Sequence, residues 1–187
     1  DRFGIICENA FRYTELLHAG YWGGAIPVPI NHRLAPPEIL QILEDAECKL
    51  LALGKDFLPL LDEEEIAPWR DRCLYIGPDE NDVLQPQYEN LLSTADVAPK
   101  QHADEDDLAL LLYTGGTTGR SKGVQLSHRN IVANGMQMAI AMRADKTDIY
   151  LHAAPMFHAA DLLCTAFTLT GAAHAYLPVF APSKALE

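Results

Sequence analysis

The feature that most constrains the fold is an apolar run at residues 108–113 that leads directly into a loop of four glycines, three threonines, a serine, an arginine and a lysine at 114–123. An apolar run of that length suits a strand in a sheet that is buried on both faces. The glycines let backbone N–H groups approach a ligand closely, and successive N–H groups form an anion-binding concavity. The sequence therefore predicts a phosphate-binding loop at the end of a buried strand.

The loop also carries side chains that suit phosphate. Threonine hydroxyls add hydrogen-bond donors, and Lys122 adds a mobile positive charge. The spacing is not that of a Walker A loop, because Ser121 stands where that motif needs a glycine before its lysine. A flexible Gly/Thr linker is the alternative interpretation, although a linker seldom follows a buried strand directly.

Charge is distributed unevenly along the chain. Residues 108–144 carry four basic side chains and no acidic one, while the rest of the chain carries 10 basic and 26 acidic residues. A positive region in an acidic chain focuses an anionic ligand onto one place. The net charge of −12 argues against a general DNA- or RNA-binding surface, so we expect no nucleic-acid partner.

The remaining pattern predicts an α/β fold. Strand candidates at 3–7, 25–30 and 49–53 alternate with two helical patterns, one capped by Asn9 and one beginning at Pro36. This alternation is typical of a parallel sheet. Shorter strand candidates follow at residues 74–77, 124–126, 149–154 and 173–178.

A further helix is predicted directly after the loop region. Ser127 can cap it, and its apolar residues recur four apart at Val132, Met136 and Ile140. The whole chain then divides into a strand–helix part at 1–58, an acidic loop-rich part at 59–107 and a part at 108–187 that carries the loop. Because strand patterns begin and end close to its two termini, we expect the chain to be a fragment of a longer protein.

Composition excludes several classes of protein. The chain is 49% hydrophobic and 21% charged, which is too apolar for intrinsic disorder. No stretch approaches the roughly 18 apolar residues of a membrane span. Its cysteines lie 41, 25 and 91 residues apart without a CxxC pair, and its histidines lack metal-site spacing. We therefore expect no metal site in the chain, no disulfide framework and a cytoplasmic location.

Residues 113–124 closely resemble the phosphate-loop signature of the AMP-forming acyl-CoA synthetases, the superfamily that includes amino-acid adenylation domains. The usual form is Y-T-S-G-T-T-G-x-P-K-G-V, and ten of twelve positions fit. Gly115 replaces the usual serine and Ser121 the usual proline. The Gly-Gly variant resembles the fatty-acyl-CoA ligase branch in particular.

Two other stretches resemble the same family. Residues 155–158, Pro-Met-Phe-His, are similar to its next core motif, whose aromatic or histidine residue borders the acyl pocket. Residues 19–34 are similar to its upstream strand–helix pattern. The resemblance makes His158 a substrate-binding candidate, with a packed histidine of the interior as the alternative.

The resemblance implies a partial N-terminal domain of the adenylate-forming fold, with mostly parallel strands alternating with helices. It implies ATP, Mg²⁺ and coenzyme A as cofactors. The implied substrate is a small-molecule carboxylic acid, in particular a fatty acid of long or medium chain length. Lys122 is the implied catalytic residue, and the implied nucleotide-binding residues are Thr114, Gly115, Gly116, Thr117, Thr118, Gly119 and Lys122.

The implied reaction needs more than this chain. The family's adenine-binding, ribose-binding and Mg²⁺-linked residues, and its C-terminal domain, follow the His158 motif and do not fit in the remaining residues. We therefore expect the fragment to be inactive by itself and to self-associate through exposed apolar surface. An aryl-CoA ligase, an amino-acid adenylation domain, a non-catalytic nucleotide-binding module and an inert structural fragment remain as alternatives.

Overall fold

The first half of the chain forms a parallel sheet. The computed structural model describes residues 1–78, 85–99, 101–115 and 121–185. Strands β1 (Arg2–Ile6), β2 (Ile26–Pro29), β3 (Leu50–Leu53) and β4 (Cys73–Tyr75) lie in the order β2-β1-β3-β4 and are parallel throughout. The predicted α/β class with parallel strands is confirmed.

Two helices connect the first three strands. Helix α1 runs over Phe11–Gly23 and ends at Gly24, whose left-handed φ of 70° favours glycine. Ala10, rather than the predicted Asn9, is the N-cap of α1, so that part of the prediction is wrong. Helix α2 runs over Pro36–Asp45 and begins at the predicted proline, whose fixed φ suits the first turn.

Two glycines of α1 differ in their surroundings, and this difference gives a matched test of packing. A Cβ on Gly20 would lie 2.8 Å from the carbonyl oxygen of Ala25 and 2.8 Å from Cδ of Pro27, whereas a Cβ on Gly23 would meet nothing within 4 Å. We expect Gly20→Ala to lower the free energy of unfolding by about 1–2 kcal/mol despite its better helix propensity. Gly23→Ala should be neutral or stabilising by up to about 1 kcal/mol. Urea unfolding of both variants checks this, and equal losses would contradict it.

The middle of the chain is mostly short helical turns. Two 3₁₀ helices, Lys55–Asp62 and Ala67–Arg72, lead into β4, and helix α3 covers Tyr88–Thr94. Ile66 and Trp69 from this region are buried in the same apolar cluster as Leu53. This segment therefore covers one face of the parallel sheet and is not only a solvated loop.

The second half begins with an antiparallel hairpin. Strands β5 (Leu108–Thr114) and β6 (Lys122–Ser127) pair antiparallel, so the sheet strands of the chain are mostly but not entirely parallel. β5 lies beside β2. Its side chains alternate between two apolar clusters, with Leu111 in one and Leu110 and Leu112 in the other. The predicted burial of this strand on both faces is thus confirmed.

Helix α4 (His128–Met142) follows the hairpin. Ser127 caps it as predicted, because its Oγ accepts the N–H of Asn130 at 3.3 Å. The stripe of Val132, Met136 and Ile140 faces outward with 39%, 56% and 80% exposure, respectively. The buried side of α4 is formed by Ile131 and Gly135.

The last part of the chain contacts α4 through helix α5 and the 3₁₀ helix before it. Strands β7 (Ile149–His152) and β8 (Ala173–Tyr176) are parallel and are connected by a 3₁₀ helix, Ala159–Leu163, and helix α5 (Cys164–Thr170). A short helix, α6 (Pro182–Ala185), follows. Among the described residues, no helix combines the length and apolar character needed to cross a membrane.

Candidate functional site

The hairpin holds the two ends of the predicted phosphate loop together. Thr114 pairs with Lys122 in the antiparallel register, and the Thr114 hydroxyl lies 3.5 Å from the Lys122 carbonyl oxygen. Both side chains are exposed. The predicted loop residues Gly116, Thr117, Thr118 and Gly119 lie outside the described residues. Of the predicted nucleotide-binding set, the structure therefore places Thr114, Gly115 and Lys122 next to one another.

Gly115 has space around it. A Cβ built at this position meets no described atom within 4 Å. The serine of the usual signature would therefore fit here without moving its described neighbours. Glycine at this position removes a hydroxyl donor from the loop. Lack of space is not the reason for this glycine, since a side chain would fit among the described neighbours.

The positive charge around the loop is smaller than the sequence suggests. Arg129 lies 2.6 Å from a carboxylate oxygen of Glu105 and 2.8 Å from one of Asp106. Hydrogen bonding to Arg129 holds the pKa of Asp106 below its ordinary value. Two acids from before the apolar strand thus neutralise one of the four basic side chains. Lys122 makes no ion pair among the residues that the structure describes.

An apolar cavity of about 510 Å³ opens beside this loop. It lies between the hairpin, α4, α5 and the 3₁₀ helix after His158. Its lining residues are Leu112, Thr114, Val124, Leu126, Asn130, Ile131, Asn134, Ala159, Leu162 and Thr165. Thr114 belongs both to this lining and to the start of the phosphate loop. Apolar walls with a few polar groups are typical of small-molecule sites. The cavity can hold the apolar part of a ligand whose polar end reaches the loop.

His158 lies next to the cavity-lining Ala159 and is exposed. Its Nδ1 accepts the backbone N–H of Ala160 at 3.2 Å, as the N-cap of the 3₁₀ helix. Because Nδ1 acts as the acceptor, the neutral imidazole carries its proton on Nε2. His158 therefore presents an N–H donor to its surroundings, which suits an anionic or carbonyl oxygen.

Phe157 packs at the carboxyl end of the parallel sheet. Its ring lies edge-on to that of His32, with the ring centroids 5.1 Å apart. His32 follows β2 and stacks on Phe57, which follows β3, at 5.0 Å. Burial lowers the pKa of His32 and favours its neutral form in this stack. Residues 157–158 are thus placed at the sheet edge where parallel α/β folds bind their ligands.

A chain of four hydrogen-bonded polar groups, which sequence reasoning missed, runs from the buried pair His152 and Asp161 to the exposed Thr168. His152 is fully buried, and its Nδ1 is 3.0 Å from both carboxylate oxygens of Asp161. His152 Nε2 is 2.8 Å from Nδ1 of His174, whose Nε2 is 3.2 Å from the Thr168 hydroxyl. The only available signal was that two histidines fall on neighbouring short strands close to a single acid.

The Thr168 hydroxyl determines which ring nitrogen of each histidine carries the proton. Thr168 donates its hydroxyl proton to the carbonyl of Cys164, so it accepts the Nε2 proton of His174. His174 Nδ1 is then an acceptor, and His152 donates to it from Nε2. The other ring nitrogen of His152, Nδ1, faces the two carboxylate oxygens of Asp161. The pKa of His174 is lowered mainly by burial and to a smaller extent by the neighbouring His152, which is consistent with a neutral His174 ring.

The four cysteines are buried and unpaired with one another. Burial raises the pKa of Cys164 to about 12, so its thiol is protonated at neutral pH and is a poor nucleophile. Within the described ranges, no three His, Cys, Asp or Glu side chains form a group suited to a metal ion. The described residues of this site offer a cationic group at Lys122, hydrogen-bond donors at Thr114 and His158, and an apolar cavity.

Comparisons with known proteins support this fold. The family model described as AMP-binding enzyme matches residues 1–187. The chain is 30% identical over 187 residues to the long-chain-fatty-acid–CoA ligase FadD13 of Mycobacterium tuberculosis, covering 98% of this chain and 36% of that protein. It is 31% identical over 189 residues to a feruloyl-CoA synthase of Amycolatopsis sp, covering 100% of this chain and 36% of that one.

A solved structure is similar along the whole chain. The crystal structure of ATP-bound MatB from Rhodopseudomonas palustris superposes with a TM-score of 0.84 at 28% identity, covering 100% of this chain and 37% of that one. The chain therefore spans little more than a third of the length of each of these three proteins.

Proposed function

This chain belongs to the AMP-binding enzyme family, and on that basis we propose that it is part of an ATP-dependent acid–CoA ligase. The carboxylate of the acid attacks the α-phosphorus of ATP, giving an acyl adenylate and pyrophosphate. The thiol of coenzyme A then displaces AMP and forms a thioester. The observation that carries the proposal is the hairpin, which presents Thr114 and Lys122 beside an apolar cavity.

Lys122 is proposed to bind the phosphates of ATP. The attacking carboxylate and the triphosphate are both anionic, so the first step requires positive charge and hydrogen-bond donors around the phosphate oxygens. The Lys122 ammonium group stands at one end of the loop, and the Thr114 hydroxyl stands at the other. A carboxylate is already ionised at neutral pH, so the attack needs no general base.

The cavity and His158 are proposed to bind the acid. The apolar lining suits the hydrocarbon part, while Thr114 marks the end of the cavity nearest the phosphate loop. The Nε2 proton of His158 can donate to the carboxylate or to the acyl adenylate formed from it. Together these features support a binding position for the carboxyl group between the apolar cavity and the phosphates.

A long- or medium-chain fatty acid is our proposed substrate. The Gly-Gly form of the loop and the similarity to a protein named as a long-chain-fatty-acid–CoA ligase support it. Feruloyl-CoA synthase, whose name indicates an aromatic acid, is similar at nearly the same identity, so an aryl acid is the second candidate. An amino-acid adenylation domain is a further alternative.

Mg²⁺ and coenzyme A belong to the proposal for the longer protein. The resemblance puts the family's Mg²⁺-linked residue after the His158 motif, so the protein ligands of Mg²⁺ are proposed to lie outside this chain. The chain spans 36% of the length of the relatives compared above. We propose that it is inactive alone and acts as part of a longer protein in the cytoplasm.

Carboxylate-dependent ATP–pyrophosphate exchange tests the function. The assay is run on the 187-residue chain and on the longer protein, with acids from acetate to palmitate and with benzoate. We expect exchange only in the longer protein, fastest with fatty acids. Exchange by the chain alone would contradict its proposed inactivity, and fastest exchange with benzoate would favour the aryl-CoA ligase. No exchange in the longer protein with any acid would overturn the ligase proposal.

Self-association of the isolated chain is a further expected result. Val132, Met136 and Ile140 on α4 are exposed together with Leu151 and Leu169. An apolar surface of this kind drives association in water. Sedimentation velocity over a wide concentration range should show a sedimentation coefficient that rises with concentration. A single monomer peak throughout would contradict it, and Met136→Lys should weaken the association.

A further inference from the structure

We propose that Asn9 is a positioning residue, which fixes residues 152–156 and thereby aims Phe157 and His158 at the acid. Asn9 follows β1 and is 6% exposed. Its side chain makes three hydrogen bonds to backbone groups more than 140 residues away in the chain. The inference rests on the proposed function, because it assumes that His158 and the adjoining cavity bind the acid.

Every polar atom of the Asn9 side-chain amide hydrogen-bonds to the backbone of residues 152–156. Its Nδ2 donates to the carbonyl oxygens of His152 at 2.9 Å and Ala154 at 2.8 Å. Its Oδ1 accepts the N–H of Met156 at 2.9 Å. Residues two apart along the segment are thus bound as a neighbouring strand would bind them. Both amide protons and the oxygen are used, and only asparagine supplies this set at this length.

The bonds of Asn9 act on the residues next to them. Met156 is buried, and the chain turns directly after it, with the N–H of His158 donating to the carbonyl of Pro155 at 3.0 Å. Phe157 then contacts His32, and Nδ1 of His158 accepts from Ala160. The segment therefore runs from the Asn9 contacts straight into the turn that orients the His158 ring.

The same segment is also closed at its base. His152 and Asp161 contact each other across the turn, at 3.0 Å. That contact joins the two ends of the turn, whereas Asn9 joins the turn to the parallel sheet. Removal of Asn9 should leave the turn intact as a unit but free its position relative to β1. A shift of about 1 Å at a binding group is enough to lower catalytic efficiency by one to two orders of magnitude.

A positioning role and a merely stabilising role differ in kinetics. Loss of folded protein lowers the maximal rate and leaves both KM values unchanged. Displacement of the acid-binding turn raises KM for the acid. KM for ATP stays unchanged, because the phosphate loop lies on the β5–β6 hairpin and is not displaced. The two roles are therefore separated by the ratio of the KM changes.

The test uses the full-length protein and the acid that gives the fastest ATP–pyrophosphate exchange. In Asn9→Ala we expect KM for the acid to rise about tenfold and KM for ATP to change by less than about twofold. Asn9→Asp keeps the size and an oxygen but cannot donate to two carbonyls, so it should resemble Asn9→Ala. Asn90→Ala, at an exposed asparagine on α3, is the control and should match the wild type. An unchanged KM for the acid, or an equal rise in both KM values, would overturn the proposal.

A second measurement does not depend on activity, and its first part needs only the wild-type protein. Hydrogen exchange of the wild-type Met156 amide should be slowed at least about a hundredfold relative to an exposed amide, because this amide is held by Asn9. In Asn9→Ala that protection should be lost, while the amides of β1 and β3 stay protected. Fast exchange of Met156 in the wild type would overturn the positioning role. Absence of acid-dependent exchange of pyrophosphate in the wild type would instead overturn the proposed function.

Discussion

Lys122→Ala in the full-length protein should lower acid-dependent ATP–pyrophosphate exchange about a hundredfold. Lys122 is exposed at the start of β6, opposite Thr114, and makes no ion pair among the described residues. Its ammonium group is therefore available to phosphate oxygens. Loss of one group that stabilises developing charge in a transition state typically costs a factor of about 10² to 10³.

The control for this prediction is another exposed lysine. Lys146 lies in the turn between α4 and β7, and Lys146→Ala should leave the exchange rate within about twofold of the wild type. Lys122→Arg keeps the charge but changes the donor geometry, so it should recover only part of the rate. If the rates of Lys122→Ala equal those of the wild type at both saturating and limiting ATP, Lys122 does not bind the phosphates of ATP.

Asp161→Ala should lower the free energy of unfolding by about 3 kcal/mol. Asp161 and its partner His152 are 3% and 0% exposed, so water cannot replace the lost contact. Without the carboxyl group, Nδ1 of His152 has no partner, and the link that closes the turn before α5 is lost. Urea unfolding, followed through the fluorescence of the buried Trp69, measures the loss.

Asp161→Asn gives the matched comparison. Its amide can donate to Nδ1 of a neutral His152 that keeps its proton on Nε2 for His174, so we expect a loss of only about 1 kcal/mol. Asp96→Ala, at an exposed position, should change the stability by less than about 0.5 kcal/mol. Equal losses in Asp161→Ala and Asp96→Ala would mean that the buried contact contributes nothing measurable.

The local elements could be predicted from the sequence because their causes are local. The apolar run at β5, the proline at the start of α2 and the serine cap of α4 each act within a few residues. The phosphate-loop prediction also rests on a local pattern, which includes Thr114, Gly115 and Lys122. Their closeness in space follows from the hairpin that joins β5 to β6.

The outward face of α4 shows where local pattern fails. Val132, Met136 and Ile140 recur as a buried helix face would, yet all three are exposed. The inward side is set by Gly135, where a Cβ would lie 2.7 Å from Cγ2 of Thr165. Only the close packing of α4 on α5 reveals this choice. Spacing alone cannot distinguish an apolar stripe that is buried in this chain from one that is left for a partner.

The sequence by itself determined the α/β class and the buried strand β5, and it predicts the phosphate loop that follows, because periodicity, caps and glycine content act over short distances. The tertiary structure decided the partners of Asn9, Arg129 and His152. Asn9 caps no helix and instead binds a segment 143 residues away, and Arg129 pairs with acids from before β5. Such contacts depend on which elements lie next to each other in space. Residue type and spacing along the sequence do not specify this directly.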